Sequence, residues 1–352
     1  MRRLAVCLLL GGVSGALIAP ALAGPVGGTA AIGDQSGLRL LEQAASSGQR
    51  LSWHGTQYVS FWSEDGSTSA LVEVSHVAGE GSVLSVAPTP GNEGSRVFHG
   101  EETAAATDAT GFSPTTLQLL TKKYELVVEG PARVAGRQAD IVAVRRRGAS
   151  PLLRFWLDRD TRLVLRRESF DTDGRTLSSS AYIDIDIGTV LPTTPTAGLT
   201  TMPSASGAPV NLAEVAVLRE EGWRIPSSMP GGLDLYDARR SSTEDGEVLH
   251  LSYSDGVSSI SLFEQRGRLE TDELDGWAKT KFGGHSVWAR DEFPRRVVWS
   301  GAGFVYTVVA ECQRTLLDEI VSSLPHTKKK RGMLSRLTHG LSRVAGWLNP
   351  FD

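Results

Sequence analysis

The stretch from Arg133 to Gly174 constrains this chain more than any other. It opens on Arg133-Val134-Ala135-Gly136-Arg137 and passes through an alternating run that includes Val142 and Val144. Phe155-Trp156-Leu157-Asp158 follows, then a second run with Leu163 and Leu165, and the stretch ends on Asp171-Thr172-Asp173-Gly174. Period-two spacing with β-branched and aromatic residues predicts strands. Asp173-Gly174 predicts a two-residue hairpin turn, because both central positions of a type I′ turn need positive φ. The stretch is therefore a β-meander whose strands carry large apolar side chains. It holds no cluster shaped like a catalytic centre, and surplus apolar surface on a curved sheet points to binding.

The pattern extends on both sides. Ser36 caps a predicted helix with Leu38, Leu41, Ala44 and Ala45 on one face and Gly48 as its stop. Leu51 to Trp62, Leu71 to Val77 and Ser82 to Val86 read as strands, and Gly91 to Gly111 as an irregular excursion. Ser113-Pro114 starts a second helix with Leu117, Leu119 and Leu120 as its apolar side, and Tyr124 to Val128 resumes the sheet. Pro192, Pro195, Pro203 and Pro209 then mark a linker, since proline removes ladder donors and stops helices. A second domain starts near Leu212, with short strands bounded by Glu244-Asp245-Gly246 and Ser254-Asp255-Gly256 and two more within Val297 to Val309. Thr315 and Asp318 resemble a capping box, followed by a terminal amphipathic helix carrying Leu316, Leu317, Ile320, Val321 and Leu324.

The ends read differently from the body. Arg2 and Arg3, the apolar run from Leu4 and the Ala21-Leu22-Ala23 site predict a secretory signal peptide over residues 1–23, followed by a small-residue leader at 24–35. Whether the peptide is cleaved stays open, and an uncleaved anchor is the alternative. The expected units are thus 36–190, a linker at 191–211, 212–326 and a tail at 327–352. The tail holds six basic residues, Lys328, Lys329, Lys330, Arg331, Arg336 and Arg343, against Asp352, whereas the whole chain is −4. An acidic body excludes nucleic acid as the expected partner. In the tail, Leu334, Leu337, Leu341 and Val344 have helical spacing, and Trp347 sits near the end. A basic amphipathic segment with an indole suits an anionic membrane surface. A solvated end, or docking on the acidic body, is the alternative.

Chemistry-bearing motifs are scarce. The seven histidines are scattered without zinc-ligand spacing. No nucleophile elbow or phosphate loop is present. Asp171-Thr172-Asp173-Gly174 lacks the downstream glutamate of a calcium loop. Cys7 lies in the signal peptide, which leaves Cys312 as a lone, expectedly buried thiol. No catalytic residue, metal or cofactor is expected. The aromatics are the remaining candidates. Trp53, Phe61, Phe155 and Trp156 either line an apolar pocket for a lipid or acyl chain or pack the core. Trp53 and Phe61 share a strand face, whereas Tyr58 and Trp62 share the other.

Two blocks carry a resemblance. Arg133-Val134-Ala135-Gly136-Arg137, Trp156-Leu157-Asp158 and Asp171-Thr172-Asp173-Gly174 form the first. Gly222-Trp223-Arg224, Pro230-Gly231-Gly232, Tyr253-Ser254-Asp255-Gly256 and Ser259-Ile260-Ser261-Leu262-Phe263 form the second. In this order they are similar to the N- and C-terminal domains of the MucB/RseB family of sigma-E regulators. The resemblance implies a β-rich α+β fold, with a curved antiparallel sheet packed on helices, lipoprotein-carrier-like, plus a smaller α/β C-terminal domain. It implies a binding regulator and not an enzyme. That regulator would be exported, periplasmic or extracytoplasmic, and membrane-associated. It would bind the extracytoplasmic part of a transmembrane anti-sigma factor and control its proteolysis by occlusion. The alternative is a lipid or lipoprotein carrier with an apolar cavity.

Overall fold

The computed structural model describes residues 34–63, 66–79, 81–86, 96–100, 114–189, 207–243, 246–269, 274, 276–290 and 294–326. The expected signal peptide, residues 24–33 of the leader, residues 191–206 of the linker and the tail at 327–352 lie outside the described residues. So do the tail's candidate residues Lys328, Lys329, Lys330, Arg331, Arg336, Arg343 and Trp347.

The described residues build two curved antiparallel sheets, each of nine strands. In the first, β1 (Trp53–Ser63), β2 (Gly66–Val77), β3 (Gly81–Val86) and β4 (Arg96–Gly100) form one wing. The other wing is β5 (Glu125–Val134), β6 (Arg137–Arg145), β7 (Pro151–Asp158), β8 (Val164–Phe170) and β9 (Thr176–Ile187). The order is β4-β3-β2-β1-β9-β8-β7-β6-β5, so β1 and β9 join the two meanders at the centre. Register shifts at Thr56/Gln57, Val128/Gly130 and Trp156/Leu157 bend the strands, since an extra residue on one strand increases its local twist.

Helices α1 (Asp34–Arg50) and α2 (Pro114–Lys123) cover one face. Leu41, Ala44 and Ala45 of α1 and Leu117 and Leu120 of α2 pack on Leu126, Val142, Val144, Leu153 and Phe155. Helix α1 runs through Gly48 to Arg50, so this glycine does not stop it as the composition suggested.

The two-residue turn lies elsewhere than expected. Asp171 accepts the amide hydrogens of Asp173 and Arg175 through Oδ1, at 2.9 and 2.8 Å, and this side-chain turn spans the whole Asp171–Arg175 loop. Ala135-Gly136, between β5 and β6, is the two-residue turn, with φ of 48° and 74°. Alanine in the left-handed region carries a penalty of roughly 1–2 kcal/mol, which glycine avoids at some cost in chain entropy. Ala135→Gly is therefore expected to raise stability by about 0.5–1 kcal/mol in urea denaturation, and a loss of stability would contradict the assigned turn.

The second sheet has the order β10-β12-β13-β14-β18-β17-β16-β15, with β11 also on β12. Its strands are β10 (Ala208–Pro209), β11 (Ser228–Met229), β12 (Leu233–Thr243), β13 (Gly246–Ser254) and β14 (Ser259–Arg266). They continue as β15 (Ala278–Phe282), β16 (His285–Arg290), β17 (Arg295–Gly301) and β18 (Phe304–Glu311). It therefore equals the first in strand number, although the sequence suggested a short sheet. Helix α3 (Leu212–Glu220) was not anticipated, yet Asn211 and Glu214 form a full capping box at its start. Helix α4 (Arg314–Ser323) keeps the expected stripe, with Leu317, Ile320, Val321 and Leu324 buried. Its cap position is Gln313 and not Thr315, and Asp318 instead accepts the Gly283 amide hydrogen at 2.9 Å.

The described chain ends on a ring stack. His326 lies 3.8 Å from His285 and 5.2 Å from Trp299 between ring centroids. The Trp299 Nε1–H donates to the Pro325 carbonyl at 3.1 Å. No described helix is long and apolar enough to cross a membrane.

Candidate functional site

The two sheets meet beyond the C-terminal end of α2, and the meeting centres on one turn. The β13–β14 connection, Ser254 to Ser258, inserts against the helix-bearing face of the first sheet. Asp255 is buried at its tip, and its Oδ1 accepts the amide hydrogens of Val257 and Ser258 at 2.9 and 2.8 Å. Its Oδ2 accepts the Tyr124 hydroxyl hydrogen at 2.5 Å. Burial, with the Asp255 charge adding to it, pushes the Tyr124 pKa far up, so this hydroxyl remains a donor. Gly256 lies directly against Leu120 of α2, and Val257 packs into the apolar cluster beneath that helix. Lys123 reaches the Gly232 carbonyl and lies 3.9 Å from Asp234.

Beside this joint is a cavity of about 270 Å³. The first sheet contributes Arg167 and Ser169 of β8, Ser178 of β9 and Phe170 at the hairpin. The second contributes Asp255, Val257 and Ser258 of the inserted turn, and Glu311, Gln313, Leu316 and Glu319 around the start of α4. The walls thus mix hydroxyls, arginines and carboxylates with apolar side chains such as Leu152, Phe170, Leu177 and Leu316 in about equal measure. Such a lining can hydrogen-bond both edges of an extended backbone and still take an apolar side chain. The volume falls just below the roughly 300–1,000 Å³ usual for small-molecule sites.

The aromatic candidates are dispersed. Trp53 is buried on β1, donates through Nε1 to the Tyr182 hydroxyl at 2.7 Å and stacks on His76. Phe155 is buried beneath the helices, in another cluster. Trp156 points to the opposite face, where the Arg166 guanidinium sits 4.6 Å from its ring. Phe61 is half-buried and pairs across the strands with Ser178, but none of the four lines the cavity. Tyr58 and Trp62, expected on the other face of β1, are exposed.

The cavity's own residues carried little sequence signal. Arg167, Ser169 and Ser178 read as ordinary polar alternation, and their meeting with Glu311 and Glu319 depends on how the second sheet docks. Ser254-Asp255-Gly256 was visible as a turn, but nothing local marks it as an inserted one.

Nucleophile chemistry finds no support in Cys312. It is buried, and burial pushes its thiol up to about 12. Only thiolate is a nucleophile or a metal ligand. Among the described residues no group of three His, Cys, Asp or Glu side chains is placed to hold a metal ion.

Residues 92–202 match the family model of the MucB/RseB N-terminal domain. The solved structures that resemble the chain include the MucA/MucB complex of Pseudomonas aeruginosa, at 19% identity and TM-score 0.48, covering 81% of this chain and 97% of that one. MucB alone gives 19% identity and TM-score 0.45, covering 82% and 97%. A LolA-superfamily protein of Nitrosomonas europaea gives 12% identity and TM-score 0.23, covering 46% and 96%. No curated protein matches the chain. The match to the MucB/RseB N-terminal domain, residues 92–202, spans just under a third of the chain.

Proposed function

We propose that this protein binds the extracytoplasmic part of a membrane anti-sigma factor and controls its proteolysis, and thereby a sigma-E-type stress response. The observation that carries this reading is the cavity of mixed polar and apolar lining where the first sheet, which holds most of the MucB/RseB match, meets the second. Its serines and paired charges suit an extended peptide, whose backbone needs donors and acceptors on both sides. MucB is solved with MucA bound, and the proposal gives this chain a partner of that kind.

The mechanism is occlusion. A segment held in the cavity is withheld from a protease, and release exposes it. No bond is made or broken by this chain. The protein acts outside the cytoplasm, with residues 36–190 and 212–326 as its binding body. The basic tail from Lys328 to Arg343, with Trp347, holds it near an anionic membrane surface.

Deleting the protein is expected to shorten the anti-sigma factor's half-life and raise the stress regulon. A pull-down from membranes is expected to recover that factor with the wild type and to lose it with Arg167→Glu. An unchanged half-life in the deletion strain overturns the reading and favours a carrier.

A further inference from the structure

Glu264 lies on β14, on the face that builds the second core, between Leu262 and Arg266 in the alternation. It is 0% exposed. Its Oε2 accepts the Arg224 amide hydrogen at 2.9 Å, and its Oε1 has no partner among the described residues. Tyr306, its cross-strand partner on β18, is buried, and neither its hydroxyl nor the indole N–H of the buried Trp223 has a partner among the described residues.

The segment Glu221–Pro226, which leaves α3, closes over this carboxyl. Four attachments hold it there. The Arg224 amide rests on Glu264, and Tyr253 donates to the Pro226 carbonyl at 2.9 Å. Arg219 donates to the Ile225 carbonyl. Arg266 donates to the Glu221 carbonyl at 2.8 Å and covers the Trp223 ring at 5.0 Å. Every one of these groups except Glu264 keeps one charge state in ordinary buffers.

We propose that Glu264 is a proton-operated latch: neutral, it keeps the Glu221–Pro226 strap seated over the second core, and its ionisation lets the strap lift. A neutral carboxyl tolerates an apolar surrounding that an anion with an unpartnered oxygen does not. Lifting the strap brings water to the carboxylate and satisfies that oxygen.

Burial raises the Glu264 pKa to about 8, against the Arg224 amide and charge, which oppose it. The groups facing it are Tyr253 of β13, Tyr306 of β18, Arg219 of α3, Arg224 of the strap and Arg266 of its own strand. Burial raises both tyrosines still further. His250 stacks on Phe263, on the opposite face of the sheet. The sign follows. The strap-closed state binds the extra proton, so closure is fully favoured below the carboxyl's ordinary value near 4.5 and weakens as pH rises to about 8.

Hydrogen exchange of strap peptides in the full chain tests this between pH 5.5 and 9, after correction for intrinsic exchange. The strap's opening equilibrium is expected to rise up to tenfold per pH unit and to level off above about pH 8. In Glu264→Gln it is expected to stay flat, while β9 of the first sheet shows no rise in either protein. A flat wild-type profile, or a rise that survives Glu264→Gln, overturns the proposal. If the variant does not fold, the wild-type curve still decides, because opening driven by the tyrosines would keep climbing through pH 9.

Discussion

Replacing Arg137 with alanine is expected to lower stability by roughly 3–5 kcal/mol, the range for stranding one partner of a buried ion pair. Asp158 closes β7 and is 0% exposed. Arg137 opens β6 and grips it with two parallel bonds, Nε to Oδ1 and Nη2 to Oδ2, both 2.9 Å. Thr161 adds its amide and hydroxyl hydrogens at 2.9 and 2.7 Å. Burial alone would raise the Asp158 pKa, but the Arg137 fork and Thr161 outweigh it and hold the carboxyl below its usual range. Stability from this group is therefore present above its ordinary value near 3.8 and is lost as pH falls through the lower folded value. In Arg137→Ala the carboxylate keeps only Thr161 as donor, deep in the β7–β8 turn. Urea denaturation at neutral pH measures the loss. Arg137→Lys is expected to recover only part of it, because an ammonium cannot form the fork. A loss below about 1 kcal/mol for alanine would place the pair with ordinary surface bridges.

The second large effect is expected at Gly256. Its φ is +92°, and a Cβ there would lie 2.6 Å from the Leu120 nitrogen and 2.7 Å from Leu120 Cγ. The nitrogen belongs to helix backbone and cannot step aside. Gly256→Ala combines backbone strain of about 1–2 kcal/mol with overpacking of about 1–3 kcal/mol. Gly246 separates the two terms, since its φ is +120° and nothing lies within 4 Å of its Cβ position. Gly246→Ala is expected to show the strain alone. Beyond the larger loss, Gly256→Ala is expected to split one cooperative unfolding transition into two, because it drives the inserted turn out from under α2. One unchanged transition would mean that the sheets are coupled elsewhere.

Period and turn chemistry made most strands legible. Trp53 and Tyr58 fell on opposite faces of β1 because a strand alternates strictly, and their burial follows that rule. Leu317, Ile320 and Val321 announced α4 by spacing alone. The misses have local causes. Asp173-Gly174 looked like a two-residue turn, but the Asp171 carboxylate organises a longer one. Helix α3 hid in a short segment whose Asn211-Glu214 cap was the available cue. The cavity was not legible because the strand residues of its first wall, Arg167 to Ser178, lie 77 to 152 residues from the second wall, Asp255 to Glu319. A sheet-to-sheet docking writes no period into either wall. Glu264 escaped for a similar reason: one acid in the alternation of β14 reads as solvent-facing until the strap that covers it is seen.

The ring pile at His326 fixes how the molecule bears load. Whatever is attached beyond that residue pulls first on three stacked rings and on the bond between the His326 Nε2 and the Val321 carbonyl. Trp299 carries that tension into β17, at the middle of a sheet wing, and the bond from Val321 carries it into α4. Force thus enters as shear across packed surfaces rather than as peeling of an edge strand.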